Sequence, residues 1–188
     1  VALANLGLAE LSEPEVDVVV GGLGLGYTAR TVLEHPNVRE LLIVDTMREV
    51  IEWHHRGLLP LGEQLTSDPR CRFVHGDFFA MSASRSRGFD PENCGRRFHA
   101  ILLDVDHSPR HVLHPHHKPF YQSTGLHQLT SHLLPGGVFA LWSNDSPDEG
   151  FQTALSKVFA YSETHVVKFS NPIQHRETAN TVYVARNV

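Results

Sequence analysis

Short runs of aliphatic and β-branched residues alternate along the chain with longer stretches in which apolar residues recur at helical spacing. The apolar runs predict five strands, buried on both faces, at residues 16–20, 40–44, 72–75, 98–103 and 138–142. The intervening stretches predict helices at residues 27–34, 47–65, 120–134 and 150–159. A further short amphipathic helix is predicted at residues 2–11, ahead of Pro14.

The C-terminal part of the chain departs from this alternation. Two further strands, at residues 164–169 and 180–185, follow each other without a helix between them, so we expect an antiparallel pair at one edge. The whole pattern predicts the α/β class: a Rossmann-like, doubly wound sheet of about seven strands, mostly parallel, with helices on both faces. A ligand site in such a sheet lies at the carboxyl ends of the parallel strands.

Two polar stretches and one turn signal interrupt the predicted elements. Residues 81–97 contain four arginines together with glycine and proline, and they predict a mobile surface loop. Residues 105–119 are rich in histidine and proline, which predicts irregular structure. The sequence Pro135-Gly136-Gly137 predicts a turn before the fifth strand.

Composition narrows the classes of partner. The net charge of −5 argues against nucleic-acid binding, which needs a basic surface. No apolar run reaches the roughly 18 residues of a membrane span, so no membrane partner is expected. The two cysteines, Cys71 and Cys94, do not form a disulfide framework, and we expect a cytoplasmic protein.

Four glycines stand between the first predicted strand and the first long helix, at Gly21, Gly22, Gly24 and Gly26. Glycine lets the backbone turn tightly and approach a ligand closely, and a helix start offers free N–H groups. The spacing Gly22-x-Gly24-x-Gly26 differs from the dinucleotide pattern G-x-G-x-x-G. It matches the turn of sites for S-adenosylmethionine. The alternative is a purely structural turn between strand and helix.

Carboxylates follow the next two predicted strands. Asp45 lies about 20 residues after the glycines, where a carboxylate can accept hydrogen bonds from both ribose hydroxyls. Asp77 is placed to accept the exocyclic amine of adenine, with Phe78 against the base. The alternative for Asp45 is a solvated loop residue or a cap of the helix that follows, and the alternative for Asp77 is a local cap after the strand.

Further acidic residues end the fourth and fifth strands. Strand alternation places Asp104 and Asp106 on the same side, where one of them can act as a general base. The proximity of two like charges raises one pKa toward the working range. Asp145 adds a further acidic group after the fifth strand, and an acidic pocket favours cations such as amines.

The chain has 14 histidines, many of them in one segment. That segment is dense enough to chelate zinc, but its spacing matches no closed zinc site, so we predict no metal and a His-rich loop over the active site. Its members are His107, His111, His114, His116 and His117. His54 and His55 are expected on the exposed face of the second long helix.

Several short motifs in this order give a family resemblance over residues 16–185. They are Val18-Val19-Val20-Gly21-Gly22, Ile43-Val44-Asp45, Gly76-Asp77, Ile101-Leu102-Leu103-Asp104, Phe120-Tyr121 and Leu134-Pro135-Gly136-Gly137-Val138. In this combination the chain resembles the spermidine/spermine synthase family, which has the class I methyltransferase-like fold.

The resemblance implies transfer of an aminopropyl group from decarboxylated S-adenosylmethionine to a small-molecule amine such as a polyamine. It implies that Asp104 accepts the proton, that Asp45 holds the ribose, and that Asp77 holds the adenine. We place His107, Tyr121 and Asp145 on the substrate side. Family analogy also implies a homodimer.

The chain departs from the family pattern in three places. Gly24 stands where the family has an aspartate that meets the cofactor's amine, and the family motif Asp-Ser-Ser-Asp-Pro is replaced by Asp104-Val105-Asp106-His107-Ser108-Pro109. We expect residues 1–188 to form one catalytic domain, with residues 1–15 as a lead-in and without the family's small N-terminal strand domain. Two alternatives therefore stay open: an S-adenosylmethionine-dependent methyltransferase, and a catalytically silent nucleoside-binding or scaffold domain.

Overall fold

The computed structural model describes residues 1–9, 11–171 and 176–188 of the chain. Its helices are α1 (Ala2–Leu8), α2 (Tyr27–Glu34), α3 (Arg48–His55), α4 (Gly62–Ser67), α5 (Phe78–Ala83), a 3₁₀ helix (Pro115–Tyr121), α6 (Ser123–Thr130) and α7 (Glu149–Ser156). Its strands are β1 (Val16–Gly21), β2 (Val38–Asp45), β3 (Cys71–His75), β4 (Phe98–Leu103), β5 (Leu133–Ser143), β6 (Tyr161–Asn171) and β7 (Arg176–Arg186).

The strands form one seven-stranded sheet in the order β3-β2-β1-β4-β5-β7-β6. The first five strands in sequence are parallel, and β7 pairs antiparallel with both β5 and β6. Val19 belongs to one buried apolar cluster, whereas its neighbours Val18 and Val20 belong to the other, so both faces of the sheet are covered. The structure thus confirms the predicted doubly wound α/β fold with an antiparallel edge pair.

Two predicted helices are shorter than their apolar spacing indicated. The helix predicted at residues 2–11 ends at Leu8, and Glu10 lies outside the described residues. The helix predicted at residues 47–65 is wrong as a single element, because it consists of α3 and α4. Gly57 lies between these helices with a φ of +64°, and Pro60 removes a helical hydrogen-bond donor.

The prediction at residues 120–134 also needs correction. This stretch is divided among the end of the 3₁₀ helix, α6 and the start of β5 at Leu133. The Pro-Gly-Gly sequence is not a separate turn but an irregular part of β5, where Gly136 has a φ of +73°. Phe98 pairs with Leu133 and Ala100 with Val138, so the extra residues of β5 bulge out between these two pairs.

The segment at residues 81–97 is not simply a surface loop. It begins within α5, and its Phe89 is fully buried and stacked on Phe78. Arg96 lies within 3.1 Å of carboxylate oxygens of Asp17, Glu40 and Asp90. The sequence predicted a mobile surface loop here, but one of its arginines ties this segment to the amino-terminal ends of β1 and β2.

The carboxyl group of Asp17 shows the electrostatic effect of this cluster. Burial alone would raise its pKa, but hydrogen bonds from Arg39 and Arg96 outweigh burial and hold the pKa below its ordinary value. A group whose pKa is lowered on folding stabilises the fold above its unfolded pKa, and this stabilisation is lost as the pH falls through the folded value. The cluster therefore raises the free energy of unfolding at neutral pH, and this contribution disappears in acid.

Among the described residues, no helix combines the length and the apolar character that crossing a bilayer requires.

Both cysteines are free, and burial raises the pKa of the Cys71 thiol in β3 to about 12. At neutral pH that thiol is protonated, so it acts as a packing group rather than as a nucleophile.

We expect Arg96→Met to lower the free energy of unfolding by about 3 kcal/mol, because it removes a partner from two buried carboxylates. The exposed Arg87, on the same segment, provides a matched control, and Arg87→Met should change stability by less than about 0.5 kcal/mol. Urea denaturation at pH 7 measures both variants. Equal stability of the two would contradict a structural role for the cluster.

Candidate functional site

The glycine-rich connection between β1 and α2 approaches the end of β4 very closely. Gly22 has a φ of +98°, and a Cβ atom at this position would lie 2.0 Å from the carbonyl oxygen of Asp104. The backbone of β1 and β4 is also joined here, since the Asp104 N–H donates to the carbonyl of Gly21 at 2.7 Å. Only glycine fits at position 22, and its presence brings the glycine loop (residues 22–26) beside Asp104.

Asp45 holds the glycine loop from the side of β2. Its Oδ2 accepts a hydrogen bond from the Leu23 N–H at 2.8 Å, and its Oδ1 accepts one from the Met47 N–H at 2.8 Å. An ionised carboxylate offers about four lone-pair positions, so these two bonds leave acceptor capacity for a ligand. Asp45 does not cap α3, because no described side chain hydrogen-bonds to the first turn of that helix. It orders the neighbouring backbone and lines both cavities described next.

Two adjoining cavities open at the carboxyl ends of the parallel strands. One, of about 390 Å³, is lined by the glycine loop together with Asp104 and Asp106, and we call it the Asp104 cavity. The other, of about 310 Å³, is lined by Asp77 and Phe78, and we call it the Asp77 cavity. The walls of the two cavities share Gly22, Asp45, Thr46, Val105 and Leu113. Together they form an elongated cleft of the size that small-molecule ligands occupy.

Asp77 and the residues after it form the far end of this cleft. The Oδ1 atom of Asp77 caps α5 by accepting the N–H groups of Phe79 and Ala80 at 2.9 and 3.2 Å, so one of the two oxygens is used locally. Phe78 lines the cavity but is 5% exposed and packs mainly into the core.

Sequence reasoning missed the neighbouring Phe79. Its half-buried ring stacks on His117 at 3.9 Å and lines the Asp77 cavity. Its position next to Phe78 was the signal that could have found it. Consecutive residues at the start of a helix point in different directions, so Phe79 can face the cavity while Phe78 packs into the core.

Asp104 is the half-buried carboxylate of the Asp104 cavity. Burial is the main cause that raises the pKa of its carboxyl, and the nearby Asp106 carboxylate adds to it. A hydrogen bond from the Thr28 hydroxyl, 2.6 Å from Oδ2, acts in the opposite direction. Asp106 is exposed and accepts a hydrogen bond from the side chain of Asn144. The two aspartates line one cavity, as predicted, but not because of strand alternation: β4 ends at Leu103, and Val105 between them lines the same cavity.

His107 and Tyr121 lie next to the cleft but do not line either of its two cavities. Both are buried, and the Tyr121 hydroxyl hydrogen-bonds to Nε2 of His107, while Nδ1 of His107 donates to the Val105 carbonyl at 3.2 Å. Burial lowers the pKa of His107 and raises the pKa of Tyr121, so both are neutral at pH 7. This neutral pair attaches the segment after Asp104 to the 3₁₀ helix.

Asp145 also lies outside the lining of these two cavities. Its Oδ2 accepts hydrogen bonds from the Ser108 hydroxyl and, at 2.8 Å, from Nδ1 of His111. These bonds, led by the one from Ser108, hold the pKa of the Asp145 carboxyl below its ordinary value. Contact of His107, Tyr121 and Asp145 with a substrate stays a prediction, and their observed contacts brace the loop that carries Asp106.

A further cavity of about 530 Å³ is lined in part by three histidines, and we call it the histidine cavity. It adjoins the cleft at Asp77 and Phe79. The three histidines are His114, His116 and His117. Within residues 1–9, 11–171 and 176–188, no three His, Cys, Asp or Glu side chains are arranged to hold a metal ion. Burial lowers the pKa of His117, so its ring on Phe79 is an uncharged aromatic wall.

The prediction of an exposed His54 is wrong. This residue of α3 is fully buried, with Nε2 lying 3.0 Å from the carbonyl oxygen of Gly24, whereas its neighbour His55 is exposed. Helical spacing alone could not show this, because the glycine loop covers the face of α3 on which His54 lies.

The comparison with family models gives a match to the spermine/spermidine synthase domain over residues 2–149. The chain belongs to this family. This chain is 30% identical over 170 residues to polyamine aminopropyltransferase 2 of Pseudomonas aeruginosa. The alignment covers 85% of this chain and 43% of that protein. The chain is 25% identical over 136 residues to putrescine N-methyltransferase 3 of Nicotiana tabacum, covering 72% of this chain and 32% of that protein.

The structural comparison shows the same fold. The spermidine synthase of Thermotoga maritima superposes with a TM-score of 0.71 at 19% identity, covering all of this chain and 57% of that one. This chain spans less than half the length of the two curated relatives, the aminopropyltransferase and the putrescine N-methyltransferase.

We expect Gly22→Ala to lower the free energy of unfolding by more than about 3 kcal/mol, because its methyl group would meet the Asp104 carbonyl at a strained φ. Gly24→Ala is the control, since a Cβ there meets no atom within 4 Å and φ is +46°. Its cost should be about 1 kcal/mol. Urea denaturation measures both variants. Equal losses in the free energy of unfolding would show that the close approach of Gly22 to Asp104 is not what restricts position 22 to glycine.

Proposed function

We propose that the chain carries the catalytic site of an aminopropyltransferase, which moves an aminopropyl group from decarboxylated S-adenosylmethionine to a small-molecule amine. The observation that carries this proposal is the Asp104 carboxylate, half-buried in a cavity wall next to the glycine loop, with a raised pKa. Membership of the spermine/spermidine synthase family supports the same reaction class. Such a carboxylate is suited to accept a proton from an amine.

The dimensions and chemistry of the cleft fit a sulfonium nucleoside. In the proposed pose the adenine lies in the Asp77 cavity. There Asp77 accepts a hydrogen bond from the exocyclic amine of adenine, and Phe79 provides an aromatic wall. Asp45, at the junction of the two cavities, has acceptor capacity left for the ribose hydroxyls. The sulfonium end then lies in the Asp104 cavity, where nearby carboxylates favour a positive charge.

The reaction requires little covalent chemistry from the protein. The amine nitrogen bonds to the carbon beside the sulfonium, the carbon–sulfur bond breaks with its electron pair left on sulfur, and methylthioadenosine leaves. Asp104 takes up the proton that the amine releases. The other tasks of the chain are to hold the two reactants in line and to exclude water, which together account for much of the rate of such transfers.

The walls of the Asp104 cavity also suit an alkyl amine. Asp104 and Asp106 provide negative charge, while Tyr27, Leu113 and the half-buried Trp142 provide apolar surface. A polyamine presents this combination, because its ammonium groups are separated by methylene chains. We infer a polyamine-like amine as the acceptor.

One observation favours methyl transfer as a second candidate. Gly24 provides no carboxylate for the cofactor's amine, and the space at its Cβ position is open. A site without that carboxylate has less reason to prefer the decarboxylated cofactor. Calorimetric titration with both forms separates the candidates: tighter binding of decarboxylated S-adenosylmethionine supports aminopropyl transfer, and tighter binding of S-adenosylmethionine supports methyl transfer. Binding without turnover of any amine would identify a silent nucleoside-binding domain.

We expect Asp104→Asn to lower the rate of transfer by about 100-fold or more, because it removes the proton acceptor. Its affinity for methylthioadenosine should stay within about threefold of the wild type, since the nucleoside contacts lie elsewhere. Asp106→Asn, in the same cavity, should cause a smaller loss. Steady-state kinetics and calorimetry measure these effects, and an Asp104→Asn enzyme with full activity would exclude Asp104 as the base.

The acid side of the pH–rate profile should depend on Thr28. The base must be ionised, so the rate falls as the pH drops through its pKa, which burial places above the ordinary aspartate range. Thr28→Val removes a hydrogen bond that stabilises the ionised form, and it should move the fall in kcat/KM to higher pH without changing the plateau.

Thr31→Val is the matched control for this experiment. Thr31 is a buried threonine of the same helix whose hydroxyl donates to the Tyr27 carbonyl rather than to Asp104. Its profile should overlay that of the wild type. A profile unchanged by Thr28→Val would show that the group titrating in the assay is not Asp104.

A further inference from the structure

A buried histidine of α3, outside the cleft, contacts the glycine loop. The side chain of His54 is 0% exposed and does not line the Asp104 cavity. Its Nε2 lies 3.0 Å from the carbonyl oxygen of Gly24, 30 residues earlier in the chain. None of the proposed catalytic steps uses this imidazole, and its burial therefore needs another explanation.

The hydrogen-bond partners of His54 define its tautomer. A carbonyl oxygen only accepts, so Nε2 must carry the proton that is donated to Gly24. Nδ1 is buried and has no hydrogen-bond partner among the described residues. A bare lone pair is less costly to bury than an unpaired N–H group, and the Nε2–H form accounts for both nitrogen atoms.

The position of the ring is fixed by packing. Its Cε1 lies 3.2 Å from the point that a Cβ of Gly26 would occupy, and a methyl group of Leu65 lies 2.5 Å from the same point. Phe73 meets the imidazole edge-on, with ring centroids 5.7 Å apart. The side chain therefore fills the space under the loop, with its donor directed at one peptide group.

This contact sets the direction of the peptide that joins Gly24 to Leu25. The peptide bonds of the described residues are all trans, so this carbonyl and the following N–H point in opposite directions. Because the Gly24 carbonyl points toward the buried His54, the Leu25 N–H points away from it. Leu25 is part of the wall of the Asp104 cavity, so this orientation favours donation from the loop to a ligand rather than to the interior.

The loop is thus held by two side chains that act on different groups. Asp45 accepts a hydrogen bond from the Leu23 N–H, and His54 donates one to the Gly24 carbonyl. We propose that His54 is a positioning residue that fixes the glycine loop in the conformation that binds the nucleoside. This inference rests on the proposed function only in naming the ligand.

The test compares two substitutions of His54. His54→Phe keeps a flat ring but removes the donor, and we expect it to weaken binding of methylthioadenosine about tenfold. His54→Gln provides an amide N–H at a similar reach and should return the affinity to within about threefold of the wild type. The exposed neighbour supplies the control, since His55→Gln should leave the affinity unchanged.

Calorimetry gives the affinities, and thermal denaturation shows that each variant is folded during the titration. A role in packing alone would lower the melting temperature of the variants and leave the affinity of the folded protein unaltered. Wild-type affinity in His54→Phe, or no recovery in His54→Gln, would therefore overturn the proposal.

Two measurements on the unliganded protein separate this inference from the proposed function. Nitrogen-15 spectra of the wild-type imidazoles should show His54 with the proton on Nε2, and the Nδ1–H form would overturn the proposal even if His54→Phe failed to fold. Amide exchange at Leu23 and Gly26 should be faster in His54→Phe than in His54→Gln, and equal rates would also overturn it. A wild type that binds no sulfonium nucleoside but passes both tests would refute the proposed function while leaving the role of His54 in the loop supported.

Discussion

The contact between Gly22 and the main chain of Asp104 is the constraint on which the site depends. With no side chain at position 22, the end of β1 can lie against the end of β4. That approach places the glycine loop and the Asp104 carboxylate in the wall of one cavity. In the proposed reaction, the nucleoside at the glycine loop and the amine at Asp104 share this cavity.

The two ends of the sheet perform different tasks. At the amino-terminal ends of β1 and β2, Arg96 pairs with the buried Asp17 and Asp90 and with the half-buried Glu40. At the carboxyl ends, the three aspartates that line the Asp104 cavity are held instead by backbone N–H groups and by hydroxyl or amide side chains; they are Asp45, Asp104 and Asp106. Acids paired with arginine stabilise the fold, whereas acids without a cationic partner keep the capacity to bind a positively charged ligand.

Much of this arrangement follows from the sequence because the position at which a buried strand ends is a local feature. The apolar run before Asp104 gave the strand, and its end placed Asp104 and Asp106 together. The same reasoning could not find Thr28 or His54, since their partners are 76 and 30 residues away. It also misjudged Arg96, because the composition of its segment is polar and only the tertiary structure brings buried acids around it.

The close fit between Gly21 of β1 and Phe78 limits how related sequences can vary. A Cβ at Gly21 would lie 2.4 Å from the ring of Phe78, the first residue of the helix that Asp77 caps. Positions 21 and 78 therefore occupy a single volume, although 57 positions separate them in the sequence. Sequences that replace this glycine by a larger residue should carry a smaller one in place of the phenylalanine, so the pair should covary among homologues as one unit of fixed combined size.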